Sequence, residues 1–227
     1  KCDIIVITVP TPFDCSTNLV DTAAITESLS KLEELNYNNL VMIKSTVVPG
    51  SCNSFSETFN LKIVFNPEFL RESTTPFEDF ENQQTVVIGT DNEEEFHLIK
   101  GMYKKVISSS AEYYHTSLIE AEMIKCAQNT MLASRVALAN MIFDACQENG
   151  VAYNKVREIA FDNFQILGPH MVQVPGPDGQ RGFGGKCLPK DIRAFSTVSK
   201  SELLDEIISY NDSLRDDLDK FLMNYKK

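Results

Sequence analysis

An α/β fold, a doubly wound sheet followed by an all-α domain, is what this sequence of 227 residues predicts. Three observations point there. Short apolar runs rich in branched residues recur at 3–9, 40–44, 62–65 and 85–89, as in strands buried on both faces. Helical patterns separate them, at about 22–35, 51–59 and 92–105. From Thr116 to Asn149 the chain then holds no proline or glycine at all, which suits one long helix rather than further strands.

Each element has its own signal. Asp21 offers a cap for the first helix, and Asp91 for the helix over 92–105. Pro49-Gly50 breaks the chain before the short helix at 51–59. The run 116–149 predicts a helix of roughly 33 residues and about 50 Å. Leu118, Ile119, Met123, Ile124, Ala127, Leu132, Val136, Ala139, Ile142 and Phe143 make it apolar around much of its circumference, so it should be buried on more than one side. Helices at about 153–161, 189–199 and 201–225 follow. No internal repeat and no low-complexity segment interrupts this order.

Composition narrows the function. With 43% hydrophobic residues the chain can bury a core of one large or two small domains. No run of about 18 uncharged apolar residues is present, so nothing is expected to span or enter a membrane. The six cysteines are scattered without paired spacing, which predicts free thiols, no metal site and a reducing, cytoplasmic setting. The formal net charge of −11 argues against nucleic acid as a partner.

The richest chemistry lies at Arg181-Gly182-Phe183-Gly184-Gly185-Lys186-Cys187-Leu188-Pro189-Lys190-Asp191. The glycines strip the backbone of side chains just before a thiol, so a ligand could approach thiol and amides together. Arg181, Lys186 and Lys190 bring positive charge, which favours the thiolate. Pro189 suits a first helical turn, which would put Asp191 on the face of Cys187. The plain alternative is a glycine loop around a packed cysteine.

Further segments add to this loop: Val9-Pro10-Thr11-Pro12, Lys44 to Gly50, Asn66-Pro67-Glu68-Phe69-Leu70-Arg71-Glu72, Glu120 to Thr130, and His170 to Gly179. In this order and spacing they resemble the nucleotide-sugar dehydrogenases, most of all those acting on UDP-glucose. The resemblance spans nearly the whole chain. It implies residues 1–115 as the second half of a Rossmann-like NAD-binding domain and residues 116–227 as a central helical domain carrying the cysteine loop.

The resemblance also implies a reaction. A primary alcohol is oxidised to a carboxylate in two hydride transfers, with two NAD consumed and the aldehyde held on a thiol. Cys187 matches that nucleophile. Lys125 and Asn129, four residues apart and so on one helical face, match the groups that stabilise the substrate oxyanion. Asp191 and Thr46 match residues that hold a catalytic water and tune the lysine, and Glu68 the acid–base residue of thioester hydrolysis. Val9, Pro10, Thr11, Ser45, Thr46 and Glu72 would face NAD. Glu68, Phe69, Leu70, Arg71, Arg181, Gly182, Phe183 and Gly184 would line the sugar with Lys125, Asn129 and Cys187. Cys126 and Cys146, in the apolar helix, read as packing thiols.

Residues 1–227 contain no Gly-x-Gly-x-x-Gly turn, the usual pyrophosphate cradle. The chain therefore reads as the middle of a longer protein, lacking that turn and a C-terminal nucleotide domain, and should bind NAD weakly by itself. The long helix is expected to carry a homodimer. The open alternatives are GDP-mannose or a UDP-N-acetylhexosamine as substrate, and a non-catalytic remnant that keeps the dimer helix. A cysteine hydrolase has no support, since His97, His115 and His170 show no base motif near the thiol.

Overall fold

The computed structural model describes residues 2–70, 74–164, 171–185, 187–199 and 202–216. The chain forms two compact units, one of Lys1–Pro12 with Val20–Cys126, the other of Phe13–Leu19 with Ala127–Lys227.

The first unit is built on a mixed sheet. Strands β1 (Ile4–Ile7), β4 (Leu40–Ile43), β5 (Lys62–Phe65), β6 (Thr85–Gly89) and β7 (Glu112–Thr116) lie in that spatial order; β2 (Phe13–Asp14) and β3 (Leu19–Val20), in the segment Phe13–Leu19 of the second unit and the residue after it, pair separately. β1, β4 and β5 run parallel, β6 turns antiparallel to β5, and β7 runs parallel to β6. Alternation along each strand sends its side chains to two cores. Val41, Ile43, Ile63, Phe65 and Val87 pack on one face with Ile25 and Leu29 of α1 (Ala23–Glu34) and Cys52 and Phe55 of α2 (Ser51–Thr58). Leu40, Met42, Val64, Val86 and Ile88 pack on the other with Phe96, Ile99 and Tyr103 of α4 (Glu93–Tyr103). A sheet covered on both faces needs apolar residues at every position, which is why these strands read as unbroken apolar runs.

Several details depart from the sequence expectation. β1 is shorter than 3–9. The α4 cap is Asn92, whose Oδ1 accepts from Glu94 N at 2.8 Å, rather than Asp91. Asn92 has the extended backbone a capping residue needs. Asp21 does accept the Ala23 N–H at 2.8 Å at the start of α1. The short helix α3 (Pro76–Glu81), the β2–β3 pair and β7 had no expectation. Glu112-Tyr113-Tyr114-His115-Thr116 is too polar to read as a strand because none of its residues is fully buried.

The long helix is α5 (Leu118–Glu148), 31 residues as a single element. Its start packs closely on β6: a Cβ on Gly89 would come within 2.7 Å of Ala121 Cβ. In the second unit Ala133 and Ala137 of α5 join Phe183, Ile192 of α7 (Leu188–Ser199) and Leu204 of α8 (Glu202–Ser213) in one core. Ala139 and Cys146 join Val172, Val174 and Tyr153 of α6 (Tyr153–Arg157) in another. The helix after α6 widens into a five-residue turn over Glu158–Asp162. α8 ends at Ser213, and the expected continuation to 225 lies largely outside the described residues. Among the described residues no helix is long and apolar enough to cross a membrane.

Candidate functional site

In the first unit the parallel strands end side by side, with Ile7, Ile43 and Phe65 in register. Ligands bind at such carboxyl ends in open α/β sheets. The exit loops are tied together by hydroxyls: Ser45 Oγ donates to the Val9 carbonyl at 2.6 Å, and Thr11 Oγ1 to the Thr46 carbonyl at 2.6 Å. Ser45 and Thr11 are thus buried ties in the loops, while Pro10 is exposed.

The next loop carries Glu68. Its Oε1 accepts the N–H groups of Phe69 and Leu70 at 2.9 and 3.1 Å, and its Oε2 lies 3.3 Å from Lys44 Nζ. The side chain stays about a third exposed, at 35%. Lys44 reaches Asn66 Oδ1 at 2.9 Å and the Tyr103 hydroxyl at 3.2 Å, so it binds the ends of β4 and β5 together. Lys125, on α5, is buried, donates to the Glu68 carbonyl and sits 5.5 Å above the Phe69 ring. A buried ammonium needs such partners, and here they hold the Glu68–Phe69 segment. Arg71 and Glu72 lie outside the described residues.

α5 also reaches α2. Glu122, fully buried, accepts Gly50 N–H at 2.6 Å and Cys52 N–H at 2.7 Å. The first turn of α2 is therefore capped by a side chain seventy residues away. Burial raises the Glu122 carboxyl above its ordinary range, against the pull of those two N–H groups. Burial, reinforced by Glu122, also pushes the Cys52 thiol up, which keeps it protonated and inert.

In the second unit Cys187 is exposed at the mouth of α7, where Asp191 N–H donates to the Cys187 carbonyl at 2.9 Å. Asp191, almost fully buried, accepts from Asn129 Nδ2 and has Lys190 Nζ at 2.8 Å. The charges expected to favour the thiolate are thus matched locally: Lys190 by Asp191, and Arg181 by Asp144 at 2.5 Å. Arg181 also lies 5.1 Å over the Phe143 ring. Burial alone would raise the Asp144 carboxyl, but bonds from Arg181 and Tyr210 hold it below its ordinary range. Tyr210, desolvated and bonded to Asp144, is pushed up to about 12. Lys186 and His170 lie outside the described residues.

The glycines of this loop have a packing reason. A Cβ on Gly182 would meet Asn211 Oδ1 at 2.6 Å, and one on Gly184 would meet the Arg215 guanidinium at 2.5 Å. Phe183 is buried among the helices, so its ring does not line open space. Asn140 and Asn211 bond the loop backbone at Gly182 and Phe183, roles the sequence did not disclose.

Residues 1–107 match the NAD-binding domain of the UDP-glucose/GDP-mannose dehydrogenase family, and residues 119–213 match its central domain. The chain belongs to that family. A curated UDP-glucose 6-dehydrogenase of Rickettsia prowazekii is 33% identical over 210 residues, 89% of this chain and 46% of the relative. A UDP-glucose dehydrogenase structure from the archaeon Pyrobaculum islandicum superposes with a TM-score of 0.78 at 27% identity, covering 93% of this chain and 50% of that one. A UDP-D-ManNAc dehydrogenase from Pyrococcus horikoshii gives 0.80 at 22% identity over the same shares, which shows a common fold. The chain spans about half the length of the curated relatives it matches.

NAD is the cofactor named by the family's first domain. The adjacent ends of β1, β4 and β5 fit that group as a place for part of a dinucleotide. Val9 to Thr11 and Ser45 to Thr46 form the edges of those loops, tied together through the Thr11 and Ser45 hydroxyls.

Proposed function

We propose that this chain serves the NAD-dependent, two-step oxidation of UDP-glucose to UDP-glucuronate. The observation that carries the reading is Cys187: an exposed thiol between a fixed glycine loop and the first turn of a helix, within residues that match the family's central domain. Relatives named UDP-glucose 6-dehydrogenase support the substrate. The family name keeps GDP-mannose as the second reading, with a UDP-N-acetylhexosamine as a third.

NAD, when bound, supplies the hydride acceptor for each oxidation. The chain's residues do the rest. Lys125 stabilises negative charge on the substrate oxygen as the alcohol loses its proton. The Cys187 thiolate adds to the aldehyde carbon, so that the intermediate stays attached as a thiohemiacetal. Its oxidation leaves a thioester, and water then releases the carboxylate and restores the thiol. Glu68 takes the proton of that water; its side chain is about a third exposed, whereas Asp191 is buried against Lys190 and Asn129. Asn129 and Asp191 hold each other in place near the start of α7, and Thr46 contributes a hydroxyl beside the nucleotide loops. Two protomers associate through the apolar stripe of α5.

The test is NADH formation by the full-length protein with UDP-glucose, GDP-mannose and UDP-N-acetylglucosamine. Two NADH for each uronate from UDP-glucose, with the others much slower, supports the reading. A stoichiometry of one, or a preference for another sugar nucleotide, overturns it.

A further inference from the structure

We propose that Asn211 is a positioning residue for the Cys187 thiol, clamping the backbone of the loop that delivers it. The inference rests on the reading of Cys187 as the nucleophile, and it adds a residue that the motif does not contain.

The loop from Asp178 to Gly185 forms neither helix nor strand, so its buried N–H and C=O groups need side-chain partners. Asn211, on α8 and 1% exposed, supplies two at once. Its Oδ1 accepts Phe183 N–H at 2.6 Å, and its Nδ2 donates to the Phe183 carbonyl at 3.2 Å. A primary amide is the side chain that offers one acceptor and two donors in a plane, matched to a peptide's two polar groups. The neighbours extend the clamp. Asn140 Oδ1 accepts Gly182 N–H at 3.0 Å, and Arg215 reaches Asp178 Oδ2 at 2.8 Å.

Gly182 completes the fit. Its φ of +76° suits glycine, and any Cβ there would collide with Asn211 Oδ1. The glycine is thus required by the asparagine as well as by the turn. Beyond the clamp, Gly185 faces open space, since a Cβ there would meet no atom within 4 Å. Cys187 follows two residues later and is tied at α7 through its carbonyl, which accepts Asp191 N–H. Among the described residues, Phe183 and the first turn of α7 are the anchors that flank the thiol. Loosening one lets the sulfur sample positions away from the aldehyde carbon, and reactions of this kind are sensitive to about 1 Å of misplacement.

Two variants of the full-length enzyme test this. Asn211→Ala removes both bonds. It should lower kcat for uronate formation by about tenfold or more with KM for UDP-glucose within about twofold. Asn211→Asp keeps the shape. As a carboxylate it repels the Phe183 carbonyl, and as a neutral acid it donates to that carbonyl and accepts the N–H, as the amide does. The activity of this variant relative to wild type should therefore rise at least about threefold from about pH 8 to about pH 5.5, as a buried carboxylate takes up its proton. Alkylation of Cys187 by iodoacetamide, followed by peptide mass spectrometry, should differ at least about threefold between wild type and Asn211→Ala. This arm needs no turnover. If the wild-type protein oxidises no nucleotide sugar, the functional reading falls and alkylation alone decides the clamp. The proposal is overturned if Asn211→Ala matches wild type within about twofold in both kcat and alkylation. It is equally overturned if Asn211→Asp loses thermal stability while its relative activity is flat with pH.

Discussion

Glu122 and Cys52 meet in the buried interior of the sheet unit, where Glu122 Oε1 accepts the Cys52 N–H at 2.7 Å. The second oxygen takes Gly50 N–H. One carboxylate thus fastens the loop that leaves β4 to the helix that bears Lys125, one turn further along α5.

Glu122→Ala should leave two N–H groups without an acceptor and cost about 2–5 kcal/mol of stability. Glu122→Gln keeps one acceptor and should cost about 1–3 kcal/mol. Urea unfolding followed by circular dichroism measures both. A loss below about 0.5 kcal/mol for the alanine variant would mean that water or another side chain replaces the cap.

The same residue gives a pH dependence with a definite sign. Its folded-state carboxyl is raised above 4.5, chiefly by burial. The folded state therefore binds the proton more tightly than the unfolded one. The stabilisation from that proton is complete below the unfolded pKa and is lost as pH rises through the folded value. Wild type should lose stability relative to Glu122→Gln as pH rises from 4.5. Thermal midpoints of both proteins across this range are the check, since other titrating groups cancel in the difference. A difference that grows in favour of wild type with rising pH contradicts the assignment.

Much of this architecture was legible. β4, β5 and β6 announced themselves because a sheet covered on both faces leaves polar residues only at strand starts, such as Lys62 and Thr85. α5 did so through its uninterrupted length. β7 was hidden, because its partly exposed Glu-Tyr-Tyr-His-Thr sequence carries no apolar run. At the start of α4, Asp91 and Asn92 are both good capping residues by type, and only the backbone geometry decides between them. Among the candidate residues, Cys187, Lys125 and Glu68 stood out by residue type and motif. Glu122, Asn140 and Asn211 did not, because each bonds backbone across 28 to 72 positions and leaves no local period. The loop glycines were legible as special, but the side chains that require them were not.

α5 presents Met131, Leu138 and Met141 to solvent, at 65%, 51% and 51% exposure. They lie seven and three residues apart and so share a face. A homodimer built on this face predicts that Leu138→Glu yields a monomer, or raises the dimer dissociation constant at least about tenfold, because a buried unpaired carboxylate is costly. Light scattering of the full-length protein across a dilution series reads this out. An unchanged mass at low concentration removes α5 from the interface.

In the proposed route Lys125→Ala should slow both oxidations, by about 10²-fold or more, because charge would develop on the substrate oxygen in each. It also removes the donor to the Glu68 carbonyl, so the loop after β5 should become more susceptible to proteolysis. Pre-steady-state NADH formation separates the first hydride from the second. A defect confined to the second oxidation would assign Lys125 to the thiohemiacetal alone.

The thiol itself gives the sharpest case. Cys187 is exposed, while Cys52, Cys126 and Cys146 are buried. Cys187→Ser in the full-length enzyme should abolish net uronate formation, since a serine alkoxide is far harder to reach at neutral pH than a thiolate. In the proposed route the first hydride transfer does not need the thiol, so a slow trace of NADH or a stalled covalent adduct is the expected residue of activity. Cys126→Ser is the control. That thiol is 1% exposed and points at the Val47 carbonyl at 3.7 Å, where a hydroxyl can also donate, so turnover should stay within about threefold of wild type. NADH yield measured with product analysis on UDP-glucose distinguishes the two variants. Uronate formation by Cys187→Ser at near the wild-type rate would remove the covalent route, and with it the role assigned to the loop that carries the thiol.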